Sequence, residues 1–244
     1  EDVVAMIKTG GGKSLIFQIP ALMFSGLTIV ISPLISLMED QVSHLVRNGI
    51  SADYINSNKD FFMVSETYQN LINNRIKLLY VSPERLSSKD FLEAISKIEV
   101  SMITVDEAHC ISLWGVDFRQ SYFDIKDFIK SFTKKPVVSA FTATANKRVV
   151  SDIVSILGLS SPYISKGSFD RKNLYYGVVK PTSKKDYLVN FLEKYKDVSG
   201  IIYTVTRKEC ISLFDYLLTL NFKVLIYHGE LESSLRPMNL KLFL

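Results

Sequence analysis

Disulfide and zinc chemistry are the first things this sequence fails to support. It has two cysteines, Cys110 and Cys210, too few and too far apart for a disulfide framework or a cysteine-rich zinc site. Histidine is almost as scarce: His44, His109 and His228 are scattered, and no metal cluster is expected from them. Long apolar runs are missing as well. A bilayer-spanning helix needs roughly 18 or more apolar residues, and the stretch Leu27 to Leu37 is interrupted by Ser32, Pro33 and Ser36. No secretory leader is expected, because the chain opens in what reads as mid-strand. There is no internal repeat and no low-complexity segment. What is present is an ordinary globular composition of 244 residues, 47% hydrophobic and 22% charged, enough for one large or two small domains. A net charge of +4 permits a nucleic-acid partner without requiring one.

The most informative segment is Thr9-Gly10-Gly11-Gly12-Lys13-Ser14, between an apolar run and a helical pattern. Successive glycines let backbone N–H groups turn toward phosphate oxygens, and the helix starting near Lys13 points its positive dipole end the same way. Lys13 would reach the β- and γ-phosphates and the Ser14 hydroxyl would be a ligand of Mg²⁺. The alternative is a plain tight turn, since the strict phosphate-loop pattern has Gly where Ile7 stands. A second half of the site then appears at Val100 to Val105, a buried strand by composition, which ends in Asp106-Glu107-Ala108-His109. In phosphate-loop enzymes an acid at a neighbouring strand end holds Mg²⁺, largely through water, and the adjacent carboxylate activates the attacking water. Two acids there could instead simply begin a helix. The two halves together, in this order, point to ATP or another nucleoside triphosphate.

Apolar strand-like runs alternate with helical stretches along the chain, as expected for a parallel sheet with helices on both faces. Strands are expected at Val3–Ile7, Leu27–Ser32, Ala52–Ile55, Lys77–Val81, Val100–Val105 and Pro136–Phe141, with a last short one after Pro162. Helices are expected from Lys13 (bent or ended by Pro20), over Leu34–Asn48, Phe61–Asn73, Phe91–Lys97, Ser121–Ser131 and Lys147–Leu157. A boundary falls near Phe169 to Asn173, giving units 1–168 and 169–244. The alternation restarts beyond it with strands Leu174–Val179, Gly200–Val205 and Lys223–Tyr227 around helices Lys184–Lys196 and Lys208–Leu220. With about three strands, this second unit reads as incomplete.

Motifs spread over essentially the whole chain resemble those of RecQ-type DNA helicases, superfamily 2 proteins with a DEAH-box pattern. They are Thr9 to Leu15 with Gln18 to Leu22, Ile31 to Val42, Tyr80 to Leu86, Asp106 to Ser112 running into Trp114 to Arg119 and Tyr122, and Phe141 to Ala145. Gly200 to Tyr203 and Tyr227 to Leu231 resemble the start of the family's second motor lobe. The resemblance implies a RecA-like, P-loop NTPase motor lobe followed by an incomplete second one. It also implies Mg-ATP-driven 3′ to 5′ translocation on single-stranded and forked DNA in repair or recombination, and an intracellular setting with DNA.

Within that resemblance, Glu107, Lys13 and Asp106 are the expected catalytic residues. Trp114, Phe118, Tyr122 and Phe123, with Arg119 among them, offer stacking platforms for bases and a cation beside them; packing into the core is the alternative. His109 is expected to couple the γ-phosphate to the threonine motif, and Thr142 and Thr144 to hydrogen-bond across the lobes. The alternatives are a helix-start histidine and a turn capping the helix near Asn146. Ser32, Pro33 and Ser82, at strand ends, and Arg85 are expected to hold DNA phosphates. The chain departs from the family at Ile7-Lys8, where Met-Pro is usual, and at Leu113 and Val116, where Gln and His are usual. The family's adenine-reading motif would precede Glu1 and its arginine finger would follow Leu244. The chain by itself is therefore expected to bind Mg-ATP weakly and hydrolyse it slowly or not at all. A nucleotide- and DNA-binding module without turnover, and an RNA-remodelling helicase, are the competing readings.

Overall fold

The computed structural model describes residues 1–112, 119–143, 146–167, 173–232 and 234–243. These residues form two compact units, Glu1–Leu174 and Tyr175–Leu244.

In the first unit the strands are β1 (Val3–Met6), β2 (Leu27–Ile31), β3 (Ala52–Ile55), β4 (Leu78–Val81), β5 (Val100–Val105), β6 (Val137–Thr142) and β7 (Tyr163–Lys166). They form one sheet in the order β3-β4-β2-β5-β6-β1-β7, and every pairing is parallel. The central strands explain why their sequences run apolar without alternation. In β2 all five residues, Leu-Thr-Ile-Val-Ile, are buried, as happens when helices cover both faces of a parallel sheet.

Two layers of helices provide that cover. On one face α1 (Lys13–Met23) and α2 (Ile35–Arg47) set Phe17, Ala21, Met38, Val42 and Leu45 against Val30, Tyr80, Met102 and Phe141. On the other face α3 (Phe61–Ile72), α4 (Lys89–Ile95), α5 (Asp124–Lys130) and α6 (Lys147–Leu157) bury Leu71, Phe91, Phe128 and Ile153 against Ile29, Leu79, Ile103 and Val138. Helix α6 shows how local sequence sets such an element. Val149, Val150, Ile153 and Leu157 share its buried face, the spacing of an amphipathic helix. Asn146 caps its start by accepting the Val149 N–H at 2.9 Å, and Gly158 ends it at φ +65°. The Asn146 cap also answers the alternative for Thr142, which is the last residue of β6 and not a helix cap.

Of the two outcomes expected of Pro20, bending or ending α1, the helix does not end there. The helix continues to Met23, and the Phe24 N–H closes it on the Pro20 C=O at 3.2 Å. A proline this close to the last turn removes a single helical hydrogen bond, which the closing bond and the buried Ala21 face tolerate.

The second unit contains α7 (Lys184–Lys194), α8 (Arg207–Thr219) and α9 (Leu235–Phe243). Helix α8 begins with a reciprocal capping box between Thr206 and Glu209. The three strands expected in this unit are absent among the described residues. Tyr175, Tyr176, Val178, Tyr203 and Val205 stand exposed instead. A β-prone run becomes a strand only when neighbouring backbones complete its ladder, and these segments make no such pairing among themselves. The boundary expected at 169–173 falls mostly on residues outside those described. Among the described residues, no helix is long and apolar enough to cross a membrane.

Candidate phosphoryl-transfer site

Parallel strands deliver their carboxyl ends to one edge of the sheet, the usual place for a site in such folds. Here that edge carries the glycine loop after β1, Ser32 after β2, Ser82 after β4, Asp106 after β5 and Thr142 at the end of β6. Thr9 to Gly12 are exposed. The loop turns tightly, with the Gly11 N–H donating to the Lys8 C=O at 2.9 Å. A Cβ on Gly11 would lie 2.8 Å from Ile7 Cγ2 and 2.9 Å from the Lys8 oxygen, and Gly12 sits at φ +78° as the N-cap of α1. Only glycine meets both conditions without strain. The result is a bare backbone rim at a helix N-terminus, the arrangement that binds phosphate.

Lys13, in the first turn of α1, reaches across to the end of β5. Its Nζ lies 3.0 Å from Asp106 Oδ1 and 2.5 Å from Glu107 Oε1. Burial pulls the Lys13 ammonium's pKa down, and the two carboxylates more than reverse this, leaving it above its ordinary value. Burial also dominates at Asp106 and raises its carboxyl, against the opposing pull of Lys13. Two acids and one cation therefore share a mostly buried cluster next to the glycine rim. Ser14 is half-buried in the same turn as Lys13.

The residues fit Mg-ATP. The rim can take phosphate oxygens, Lys13 can neutralise them, and Ser14 with Asp106 can hold Mg²⁺ alongside those oxygens and water. No cluster of three or more metal-ligating side chains occurs among the described residues. Mg²⁺ in nucleotide sites needs none, because it keeps several waters and takes one or two protein ligands.

His109 Nδ1 lies 3.0 Å from Thr142 Oγ1 and 3.4 Å from Glu107 Oε2. The structure thus brings His109, Glu107 and the first threonine of the threonine motif together. Thr144 lies outside the described residues, as do Trp114 and Phe118. Arg119 donates from Nη1 to the Pro33 C=O at 3.0 Å, which places it beside the segment joining β2 to α2. Ser32 and Pro33 are buried, and the Pro33 carbonyl accepts from Arg119. Ser82 and Arg85 are half-buried. Tyr122 corrects the reading of it as a base platform: it is 0% exposed, whereas Phe123 is 42% exposed. A fully buried ring cannot stack on a base.

Three features of the site escaped the sequence. Gln18, on the buried face of α1, donates from Nε2 to Gln41 Oε1 and to the Tyr80 hydroxyl, both at 3.0 Å. This ties the nucleotide-loop helix to α2 and β4. Glu107 adopts a left-handed backbone, φ +46° and ψ +45°, a conformation uncommon for any residue with a side chain. The Tyr122 hydroxyl donates to the Asp106 C=O at 3.2 Å. A polar Gln18 at a core-facing helical position was the one available signal; backbone handedness leaves none in a glutamate.

Residues 1–153 match the DEAD/DEAH box helicase family. An ATP-dependent DNA helicase RecQ from Pasteurella multocida (strain Pm70) is 43% identical over 236 residues, covering 97% of this chain and 37% of its own. Its counterpart from Bacillus subtilis (strain 168) is 41% identical over 244 residues, covering 100% of this chain and 41% of its own. The chain thus spans about two fifths of the length of these relatives. Among solved structures, the DEAD-box helicase Mss116 bound to ssRNA and UDP-BeF matches with a TM-score of 0.67 at 17% identity, over 99% of this chain and 55% of that one. That likeness concerns the fold. With this match over residues 1–153, the chain belongs to the DEAD/DEAH box helicase family, and its sequence is similar to those of ATP-dependent DNA helicases RecQ.

Proposed function

We propose that this chain is the nucleotide-hydrolysing part of a RecQ-type DNA helicase that couples ATP hydrolysis to 3′ to 5′ movement on single-stranded or forked DNA. The observation that carries the reading is Lys13 Nζ held between Asp106 and Glu107 at 3.0 and 2.5 Å, directly beneath the glycine rim. Bound Mg-ATP supplies the phosphoryl group and the free energy of its transfer to water. The Gly10 to Gly12 backbone and the N-terminus of α1 orient the phosphates. Lys13 neutralises their charge, and Ser14 and Asp106 hold Mg²⁺, Asp106 largely through water. Lys13 cannot serve phosphate oxygens and Glu107 fully at once. As it turns to phosphate, the Glu107 carboxylate is released to orient a water and accept its proton. His109 links Glu107 to Thr142, a path from the hydrolytic centre to the threonine motif. Arg119, with the neighbouring Trp114 and Phe118, supplies the DNA-sensing side, and Ser82 and Arg85 supply backbone contacts. The action takes place inside the cell, on DNA.

Hydrolysis by these 244 residues alone is expected to be slow. The experiment is ATP hydrolysis with and without single-stranded DNA. The expected result is a low rate that rises with DNA and disappears in Lys13→Ala. Equal rates in wild type and Lys13→Ala would refute the assignment of the site.

One observation favours a second substrate. A putative ATP-dependent RNA helicase from Acanthamoeba polyphaga mimivirus is 40% identical over 96% of this chain. Competition between DNA and RNA strands of equal sequence separates the two. The DNA reading requires stronger competition by DNA.

A further inference from the structure

Strand β3 is the last on one side of the sheet, and the turn that leads from it into α3 is fastened to three elements. Lys59 Nζ lies 2.6 Å from Asp53 Oδ1 on β3 and donates to Thr67 Oγ1 on α3 at 2.9 Å. The Thr67 hydroxyl lies 2.7 Å from Asp53 Oδ2. Asn56 and Asn58 both donate from Nδ2 to Glu39 Oε1 on α2, at 3.2 and 3.0 Å. Asp60 caps α3 by accepting the Met63 N–H at 2.9 Å.

On this fixed turn stand Phe61 and Phe62, 77% and 82% exposed, followed by Met63 at 46%. The two rings meet edge to face, with centroids 6.0 Å apart and planes at 77°, a favoured geometry for an aromatic pair. Most of both rings stays open to water, where apolar surface is costly. Contiguous exposed apolar side chains of this size mark a contact surface.

Position identifies the contact. The turn follows the carboxyl end of β3, on the sheet edge that carries the glycine rim and Asp106. It adjoins the segment of Ser82 and Arg85, because the Ser82 N–H donates to the C=O of Ile55, the last residue of β3, at 3.4 Å. A DNA strand held by its backbone at Ser82 and Arg85, and running toward the outer edge, next meets this turn. Exposed Ser57 and Asn58 offer neutral polar groups there. The Lys59 side chain is 7% exposed and already paired with Asp53. The turn therefore presents rings and no free lysine, which suits bases better than phosphates. Stacking of bases on aromatic rings tolerates any sequence.

We propose that Phe61 and Phe62 form a base-stacking platform for single-stranded DNA, at the outer end of the path begun by Ser82 and Arg85. This rests on the reading of Ser82 and Arg85 as contacts to the DNA backbone.

The test is binding of fluorescein-labelled oligo(dT), followed by anisotropy, to the wild-type chain and to the double variant Phe61→Ala/Phe62→Ala. The second probe is an abasic strand of equal length, which keeps the sugar–phosphate backbone and has no bases. The double variant should bind oligo(dT) about tenfold more weakly and the abasic strand as the wild type does. Phe61→Trp/Phe62→Trp, which keeps the aromatic faces, should bind oligo(dT) at least as tightly as the wild type. Both side chains are exposed, so the alanine variant should keep the wild-type unfolding midpoint. Wild-type affinity for oligo(dT) in the alanine variant, or an equal loss on both strands, overturns the proposal. Self-association that is lost in the alanine variant, with DNA affinity unchanged, also overturns it and assigns the rings to contact between copies. Arg85→Ala should weaken both strands alike. If it weakens neither, the backbone reading fails, and the oligo(dT) comparison still decides the rings. Absence of binding to either strand by the wild type would overturn both.

Discussion

Val100-Ser101-Met102-Ile103-Thr104-Val105 in the first unit and Gly200-Ile201-Ile202-Tyr203-Thr204-Val205 in the second are near equivalents as sequences. Both are β-branched, apolar and bounded by turn residues. The first is the sheet's central strand, paired with β2 and β6, with Ile103 0% exposed. The second makes no ladder, with Ile201 65% and Val205 94% exposed. The difference lies in their neighbours. Parallel pairing satisfies backbone groups only when strands flank both sides, and apolar side chains stabilise only when helices cover them. Chemistry follows the same division. The Lys13, Asp106 and Glu107 cluster needs β1 and β5 fixed in one sheet before its side chains can meet.

The sharpest way to break this comparison is to truncate the same kind of side chain in both segments. Ile103→Ala should cost about 2–5 kcal/mol of first-unit stability in denaturant unfolding, through lost burial and a cavity between the sheet and the α3–α6 layer. Val205→Ala should stay within about 0.5 kcal/mol. Similar costs at both positions would mean that the second unit has a packed core. At the glycine rim, Gly11→Ala should weaken Mg-ATP binding about tenfold, since the added Cβ meets Ile7 and the Lys8 carbonyl and must reshape the rim. Isothermal titration reads this directly.

Helix caps offer a smaller contrast. Asn146→Ala should lower first-unit stability by about 1 kcal/mol, because α6 is packed along its whole length. Thr206→Ala removes a cap of the same class from α8, whose only buried residue is Leu217. It should reduce helicity by circular dichroism without moving the first unit's unfolding midpoint.

The smallest effect concerns Tyr80. Burial, partly offset by the bond from Gln18, pushes its phenol up to about 12 from 10.0. A folded pKa above the unfolded one gives a contribution fully present below pH 10 and lost as pH rises toward about 12. Absorbance titration of tyrosinate should therefore find Tyr80 still neutral above pH 10. Gln18→Ala should alter that late step.

Much of the first unit was legible in the sequence because its signals are local. Uninterrupted apolar runs predict buried strands, and Val149, Val150, Ile153 and Leu157 predict the buried face of α6. Three glycines before Lys13-Ser14 predict a phosphate rim. What stayed hidden depends on tertiary geometry. Tyr122 reads as one more aromatic in an aromatic-rich stretch, and only its burial and its bond to Asp106 change its role. Ser32 and Pro33 read as strand-end residues, and their burial and the bond from Arg119 to the Pro33 carbonyl appear only in the structure. The second unit shows the opposite error, since local signals there predict strands that their surroundings do not complete.

The central claim is that Lys13, Asp106 and Glu107 form one phosphoryl-transfer centre. The most direct measurement is a calorimetric Mg-ATP titration of the wild type, Lys13→Ala and Glu107→Gln, with hydrolysis followed in the same samples. The account predicts binding weakened at least about tenfold in Lys13→Ala, where phosphate charge is no longer neutralised. It predicts binding retained in Glu107→Gln, with hydrolysis lost, because that carboxylate acts on water and not on the phosphates. Wild-type binding by Lys13→Ala, or wild-type hydrolysis by Glu107→Gln, would contradict it.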